Sequence, residues 1–284
     1  MHQRERRLAI NGVEYHVDEY GEGRPVLLLH GMPDTAAVWH KQIPHLVDAG
    51  FRVIAPDMLG YGRTGKPAEA SRYALENVVT DLLAIIDALQ LERTDIVGHD
   101  WGGLASWSLT SLAPNLFRRH VAIQVGHPAA FVEDVSPTAM KENWYMYLNA
   151  MPGAEALYRA ADFAYPRQVL ATHPHAEEVI KRLRDPVALR SHLNWDAGNP
   201  MTLMYADGLD GKEALPKCAV PTMGIWSQGD VFLWEEQVAN SHRFMAAPWR
   251  YVRLDSGSHW VMLDNAPPVT ASILEWLTAD EIGR

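Results

Sequence analysis

The stretch Thr94-Asp95-Ile96-Val97-Gly98-His99-Asp100-Trp101-Gly102-Gly103 decides how this chain folds. Its first four residues read as a strand, and the residues after Gly103 read as a helix. Between them stands Gly-x-Asp-x-Gly-Gly. The glycines let the backbone turn sharply and let helix and strand come close. The central side chain, Asp100, is thrust to the C-terminal edge of the sheet, where parallel α/β sheets place their ligands. It also stands at a helix N-terminus, whose partial positive charge favours an ionised carboxylate by about 0.3–1 kcal/mol. Plain helix capping is the other reading of such an aspartate.

Outward from this turn, strand and helix signals alternate. Upstream, Pro25-Val26-Leu27-Leu28-Leu29 is an apolar run ending in His30-Gly31, as fits a strand buried on both faces. Helices are expected over 37–49 and 75–91, and strands over 51–55 and 94–97. Asn11-Gly12 between two alternating runs predicts a β-hairpin over 7–17. A strand follows over 120–125. The rhythm resumes with strands over 221–226 and 251–254, a helix from Trp234 and a closing helix over 268–279. This is an α/β fold, a mostly parallel central sheet flanked by helices. Residues 129–212 break the rhythm and are helical in character. They are expected to form a cap of about 85 residues, inserted between core segments 1–128 and 213–284; long insertions of this kind are usually functional.

An aspartate at the centre of the turn dictates the chemistry. Its carboxylate is ionised at neutral pH, so it can displace a leaving group from saturated carbon and form an ester. Water must then attack that ester, which requires a base and an oxyanion hole. His259, in Ser258-His259-Trp260 after a late strand, is the expected base. Asp230, in Gln228-Gly229-Asp230 after the preceding strand, is the expected orienting carboxylate, so the order is nucleophile, acid, base. Asp255 is a rival acid but lies too close to His259 in sequence, and Asp264 suits a helix cap. The backbone N–H groups of Met32 and Trp101 are the expected oxyanion donors. His30 reads as a structural loop residue.

Composition sets the remaining bounds. The chain has 48 % hydrophobic and 21 % charged residues, an ordinary globular profile. Its net charge of -10 argues against nucleic acid as a partner. The small basic cluster Lys181, Arg182, Arg184 reads as a solvated helix face. The single cysteine, Cys218, excludes an intrachain disulfide. The charged N-terminus lacks a secretory apolar segment, and no run approaches the ~20 apolar residues of a membrane span. A cytoplasmic protein is expected, monomer or homodimer, acting on a small apolar substrate and water with no metal and no cofactor.

With these residues in place, the chain resembles the soluble epoxide hydrolases of the α/β-hydrolase fold over nearly its whole length. His30-Gly31-Met32-Pro33 is similar to their His-Gly-x-Pro, Gly98 to Gly103 to their Gly-His-Asp-Trp-Gly-Gly, and Gly60-Tyr61-Gly62 to a Gly-Tyr-Gly turn. Ser258-His259-Trp260 is similar to their Gly-His-Trp, with one glycine changed. The resemblance implies opening of an epoxide to a diol, with two cap tyrosines holding the epoxide oxygen. Counting back from Pro152-Gly153 places Tyr145 at the first tyrosine, with Tyr147 as its neighbour. The second normally follows Asn-Trp. Here Asn194-Trp195 is followed by Asp196, which could serve as a neutral acid if burial raised its pKa; Tyr165 and Tyr205 are further candidates. Trp101, Trp144, Tyr147, Trp195, Asp196 and Trp260 are the expected substrate contacts.

Two other readings stay open. Haloalkane dehalogenases resemble this core, also carry Asp-Trp at this turn, and hold the halide with that Trp indole N–H, here Trp101, and a second N–H donor. Met32 offers no side-chain donor for that purpose, leaving Trp144 or Trp195 to supply one. Fluoroacetate dehalogenases carry arginines after the nucleophile, which Trp101 and Leu104 do not provide. The third reading is a ligand-binding protein on a hydrolase scaffold.

Overall fold

The computed structural model describes residues 3–133, 140–141, 143–209 and 215–279. The hairpin around Asn11-Gly12 is formed by β1 (Gln3–Ile10) and β2 (Val13–Tyr20). Both turn residues have positive φ, 47° and 83°, the geometry that Asn-Gly adopts at no great cost and that matches the twist of the flanking strands. Next come β3 (Arg24–Leu29), α1 (Ile43–Asp48), β4 (Phe51–Pro56), α2 (Leu75–Ala88), β5 (Thr94–His99), α3 (Trp101–Leu112) and β6 (Phe117–Ile123). A helical segment follows: α4 (Pro128–Glu133), α5 (Trp144–Asn149), α6 (Ala154–Val169), α7 (Ala176–Leu183), α8 (Pro186–Gly198) and α9 (Met201–Leu209). The chain then returns to β7 (Thr222–Gly229), α10 (Glu235–Ala239), β8 (Trp249–Ser258), α11 (Val261–Asp264) and α12 (Ala266–Thr278).

Eight strands make one sheet in the order β1-β2-β4-β3-β5-β6-β7-β8. The first two pairings are antiparallel and every later one is parallel. Val26 to Leu29 of β3 and Ile96 and Val97 of β5 are fully buried, because helices cover both faces of these central strands. The parallel strands all run the same way, so the loops leaving β3, β5, β7 and β8 emerge on one edge.

Two elements differ from the expected ones. The helix expected over 37–49 is a 3₁₀ turn, Ala36–Lys41, followed by α1. Pro44 has no N–H to continue the earlier ladder and suits only a helix start. Gln42, between the two, is tied to the Met262 carbonyl and the Thr270 hydroxyl. The helix expected to reach 91 stops at Ala88, since Gln90 takes a left-handed φ of 53°.

Helix α8 is fastened to the sheet side of the molecule. Trp195 Nε1 donates to the Leu59 carbonyl at 3.0 Å, Asn194 Nδ2 to the Ala68 carbonyl at 3.1 Å, and Asn199 Nδ2 to the Tyr73 carbonyl at 2.8 Å. The Trp195 ring packs between those of Tyr61, Tyr73 and Trp101. No helix among the described residues is long and apolar enough to cross a membrane.

Candidate active site

Three residues meet at the common strand edge, each the first residue past its strand: Asp100 after β5, Asp230 after β7 and His259 after β8. His259 Nδ1 lies 2.8 Å from Asp230 Oδ2, and its Nε2 lies 3.6 Å from Asp100 Oδ2. Asp230 is further fixed by the N–H groups of Phe232 and Leu233, which donate to its Oδ1 at 2.8 and 3.1 Å. The rival acids stand elsewhere: Asp255 is exposed and pairs with Arg253, and Asp264 accepts from the Ser258 N–H.

Asp100 has φ 54° and ψ −125°, a backbone state that a non-glycine residue holds only where its surroundings impose it. The neighbours that permit it are glycines. A methyl group on Gly31 would overlap the Asp100 carboxylate, and one on Gly102 would overlap the carbonyls of Leu29 and His30. The loop after β3 therefore comes close enough for the Met32 N–H to donate to Asp100 Oδ1 at 2.7 Å. The Trp101 N–H supports the same carboxylate. Both N–H groups thus hold the Asp100 carboxylate. His30, fully buried, accepts the Met58 N–H at its Nε2, which holds this loop against the one after β4.

The electrostatics follow from burial and pairing. Burial alone would raise the Asp100 carboxyl, but the His259 hydrogen bond and charge outweigh it and bring the pKa below its usual value. Burial opposes a charge on His259, yet the carboxylates of Asp230 and Asp100 raise its pKa well above the ordinary histidine value. His99 sits beside this pair, its ring 4.6 Å from that of His259, with Nε2 at 2.9 Å from the His259 carbonyl. Burial, with the charge of His259, lowers the His99 pKa to about 3. It stays neutral and donates one N–H to the loop carrying His259.

A cavity opens over Asp100. Met32, Trp101, Tyr145, Phe232, His259 and Trp260 line it, joined by Tyr158 and His192 from the helical segment. Tyr145 packs edge-on against Phe232, and burial together with the Asp100 charge pushes its phenol well above the usual range.

Four expected contacts lie outside this lining, and each has a physical reason. Trp144 is 48 % exposed and packs on Tyr165. Tyr147 is turned away, its hydroxyl buried in the helical segment. Trp195 is consumed by docking α8 onto the Leu59 carbonyl. Asp196 lies behind Asn149, whose Nδ2 donates to its Oδ2 at 2.7 Å. Burial does raise the Asp196 pKa to about 8, with the Asp100 charge adding to it. Its carboxyl is neutral at neutral pH but stands one layer back from the cavity. Tyr165 and Tyr205 are outside the lining as well.

The residues that sequence reading missed are His99, Phe232, Tyr158 and His192. His192 carried a usable signal, standing four residues before Asp196 on one face of the same helix.

One group elsewhere, Glu5, His16 and Asp18, brings three ligating atoms together. Arg63 already bridges Glu5 and Asp18 at 2.9 and 2.8 Å, so a cation there would have to displace a guanidinium.

The chain is similar to several known proteins. An epoxide hydrolase of Caballeronia sordidicola is 35 % identical over 164 residues, which are 56 % of this chain and 50 % of that protein. Epoxide hydrolase A of Mycobacterium tuberculosis is 30 % identical over 98 % of both chains. The crystal structure of an epoxide hydrolase from Vigna radiata superposes with a TM-score of 0.79 at 25 % identity, covering 97 % of this chain and 98 % of that one. A family model described as alpha/beta hydrolase fold matches residues 24–266, a span that holds Asp100, Asp230 and His259. With the mostly parallel sheet, the strained turn at Asp100 and this match in agreement, the chain belongs to the alpha/beta hydrolase fold family.

Proposed function

We propose that this protein hydrolyses epoxides to vicinal diols through an ester on Asp100, with residues 129–212 acting as the cap. The reading is carried by the unequal use of the two Asp100 oxygens. Oδ1 is held by the Met32 N–H, while Oδ2 faces His259 and the cavity. Oδ2 attacks an epoxide carbon as the Tyr145 hydroxyl hydrogen-bonds the departing oxygen. Forming the ester removes the Asp100 negative charge, which is one of the charges that keep His259 protonated. The pKa of His259 then falls, and the ring becomes a base just when a water must be activated. That water attacks the Asp100 carboxyl carbon. The developing oxyanion on Oδ1 already has the Met32 N–H in place, with the Trp101 N–H on the same carboxylate, the preorganisation that usually dominates such catalysis. The family relatives described as epoxide hydrolases support the same reading.

Dehalogenation by the same ester is less well supported. Trp101 lines the cavity, but neither Trp144 nor Trp195, the candidates for the second halide donor, does. A single turnover in oxygen-18 water is the test. Asp100 should carry the label and the diol should not; labelled diol with unlabelled Asp100 would refute the ester. A panel of epoxides and haloalkanes, read as diol and halide, separates the two leaving groups.

A further inference from the structure

Ring opening and ester hydrolysis move protons at different residues. Attack by Asp100 breaks a carbon–oxygen bond and leaves an alkoxide that takes up one proton. Ester hydrolysis yields a carboxylate and an alcohol, and releases one proton through His259. The cycle balances, but the hydroxyl that protonated the alkoxide is left as a phenolate. It has to regain a proton before the next turnover. Burial sharpens this demand, because the phenols of Tyr145 and Tyr158 are both pushed well above their usual range.

A contact chain in the helical segment meets it. Tyr158 on α6 and His192 on α8 line the cavity together with Asp100. The Tyr158 hydroxyl lies 3.3 Å from His192 Nε2, and His192 Nδ1 lies 3.4 Å from the Tyr61 hydroxyl. A neutral imidazole between two hydroxyls can accept a proton on one nitrogen while giving one from the other, changing only its tautomer. The Tyr158 hydroxyl rests on Asn149 Oδ1, to which it donates at 2.9 Å and from which its proton turns to the departing oxygen; Asn149 Nδ2 in turn donates to Asp196. Asp196 is thereby a positioning residue. Tyr61 also lines a second cavity of about 280 Å³ at the seam between the sheet side and the helical segment, beside Lys66 and Arg182.

We infer that Tyr158 is a second acid for the departing oxygen, and that His192 returns its proton, drawn through the Tyr61 hydroxyl from water in the seam cavity. The Tyr158 O–H bond breaks as the alkoxide O–H bond forms. The His192 Nε2 proton then passes to the phenolate, and the Tyr61 hydroxyl proton passes to Nδ1; before the next turnover the imidazole exchanges its Nδ1 proton with solvent for one on Nε2, which restores its starting tautomer. Water reprotonates Tyr61, and the hydroxide left behind is neutralised by the proton that His259 releases. The inference rests on the epoxide-opening reading above.

The first step is isolated in a His259→Gln protein, where alkylation of Asp100 by styrene oxide is followed as a gain in protein mass. Adding Tyr158→Phe should slow that gain at least about tenfold, less than the roughly 10²–10⁴ of a sole positioned acid because Tyr145 is still present. Difluorotyrosine at position 158 keeps the shape, lowers the phenol pKa and should move the alkaline limb of the rate to lower pH. With His259 intact, Tyr61→Phe should cut steady-state turnover several-fold, and added imidazole buffer should restore part of it, which a packing defect would not allow. Unaltered mass gain in the Tyr158→Phe protein, or an unmoved alkaline limb, overturns the second acid. Full turnover in Tyr61→Phe, or a loss that buffer does not relieve, overturns the proton route. If the His259→Gln protein gains mass from no epoxide, the epoxide reading itself fails, and this is seen before Tyr158 is touched.

Discussion

Asp196 makes the dependence of stability on pH a test of the structure. Its side chain is 2 % exposed, and Asn149 Nδ2 is the partner of Oδ2, while Oδ1 has no hydrogen-bond partner among the described residues. Burial raises its pKa from 3.8 to about 8. Between those values the folded protein retains a proton that the unfolded chain gives up, so stability falls as pH rises through the window and levels off above it. Each pKa unit is worth about 1.4 kcal/mol, so a shift of about four units sets a ceiling of roughly 6 kcal/mol at alkaline pH. Asp196→Asn keeps an acceptor for Asn149 and removes the titration. Urea unfolding of both proteins at about pH 5 and about pH 8.5 gives the comparison. The variant should gain on the parent by several kcal/mol between the two conditions, because groups such as His259 and Asp100 titrate alike in both proteins. A constant difference at the two pH values would mean that Asp196 is hydrated or paired in the native state, and the placement argued for it would be wrong.

Three further outcomes follow from the geometry. Asp230→Asn removes the charge that raises the His259 pKa and the acceptor that fixes its tautomer; steady-state turnover should fall by about 10²–10⁴, and an unchanged rate would put the orienting carboxylate elsewhere. Gly31→Ala places a methyl group against the Asp100 carboxylate, and displacing the nucleophile should cost about 10²-fold or more in turnover while circular dichroism stays native-like. Trp195→Phe loses the bond to the Leu59 carbonyl and should lower stability by about 1–3 kcal/mol in denaturant unfolding. Its KM should change little, since Trp195 docks a helix; a large rise in KM with unaltered stability would return it to the substrate pocket.

The candidate constellation was legible because each member stands in a position the backbone dictates. Asp100, Asp230 and His259 are each the first residue past a strand, and parallel strands deliver such residues to one edge. The contacts of the helical segment were not legible in this way. His192, Trp195 and Asp196 share one face of α8 by helical spacing, yet they stand at three different depths. His192 reaches the cavity, Trp195 is spent on the Leu59 carbonyl and Asp196 is screened by Asn149. Periodicity reports which residues face inward and says nothing of which neighbour fills the space in front of them. Tyr158 illustrates the same limit: it follows Pro152-Gly153 by a turn and a half, and only the packing of α6 against α8 aims its hydroxyl at His192.

Sequence alone therefore determined the α/β order, the sharp turn at Asp100 and the carboxylate that stands at its centre. These depend on local grammar: glycines where the backbone must bend, a carboxylate at a helix start, and apolar runs where strands are buried. Tertiary structure alone decided that the Met32 N–H and His259 divide the two oxygens of Asp100 between them, and that the polar groups of the helical segment lining the cavity with Asp100 are Tyr145, Tyr158 and His192 rather than Asp196. Those relations join residues as much as 160 positions apart, as with His99 and the His259 carbonyl. They exist only once close packing has chosen which side chain fills each space.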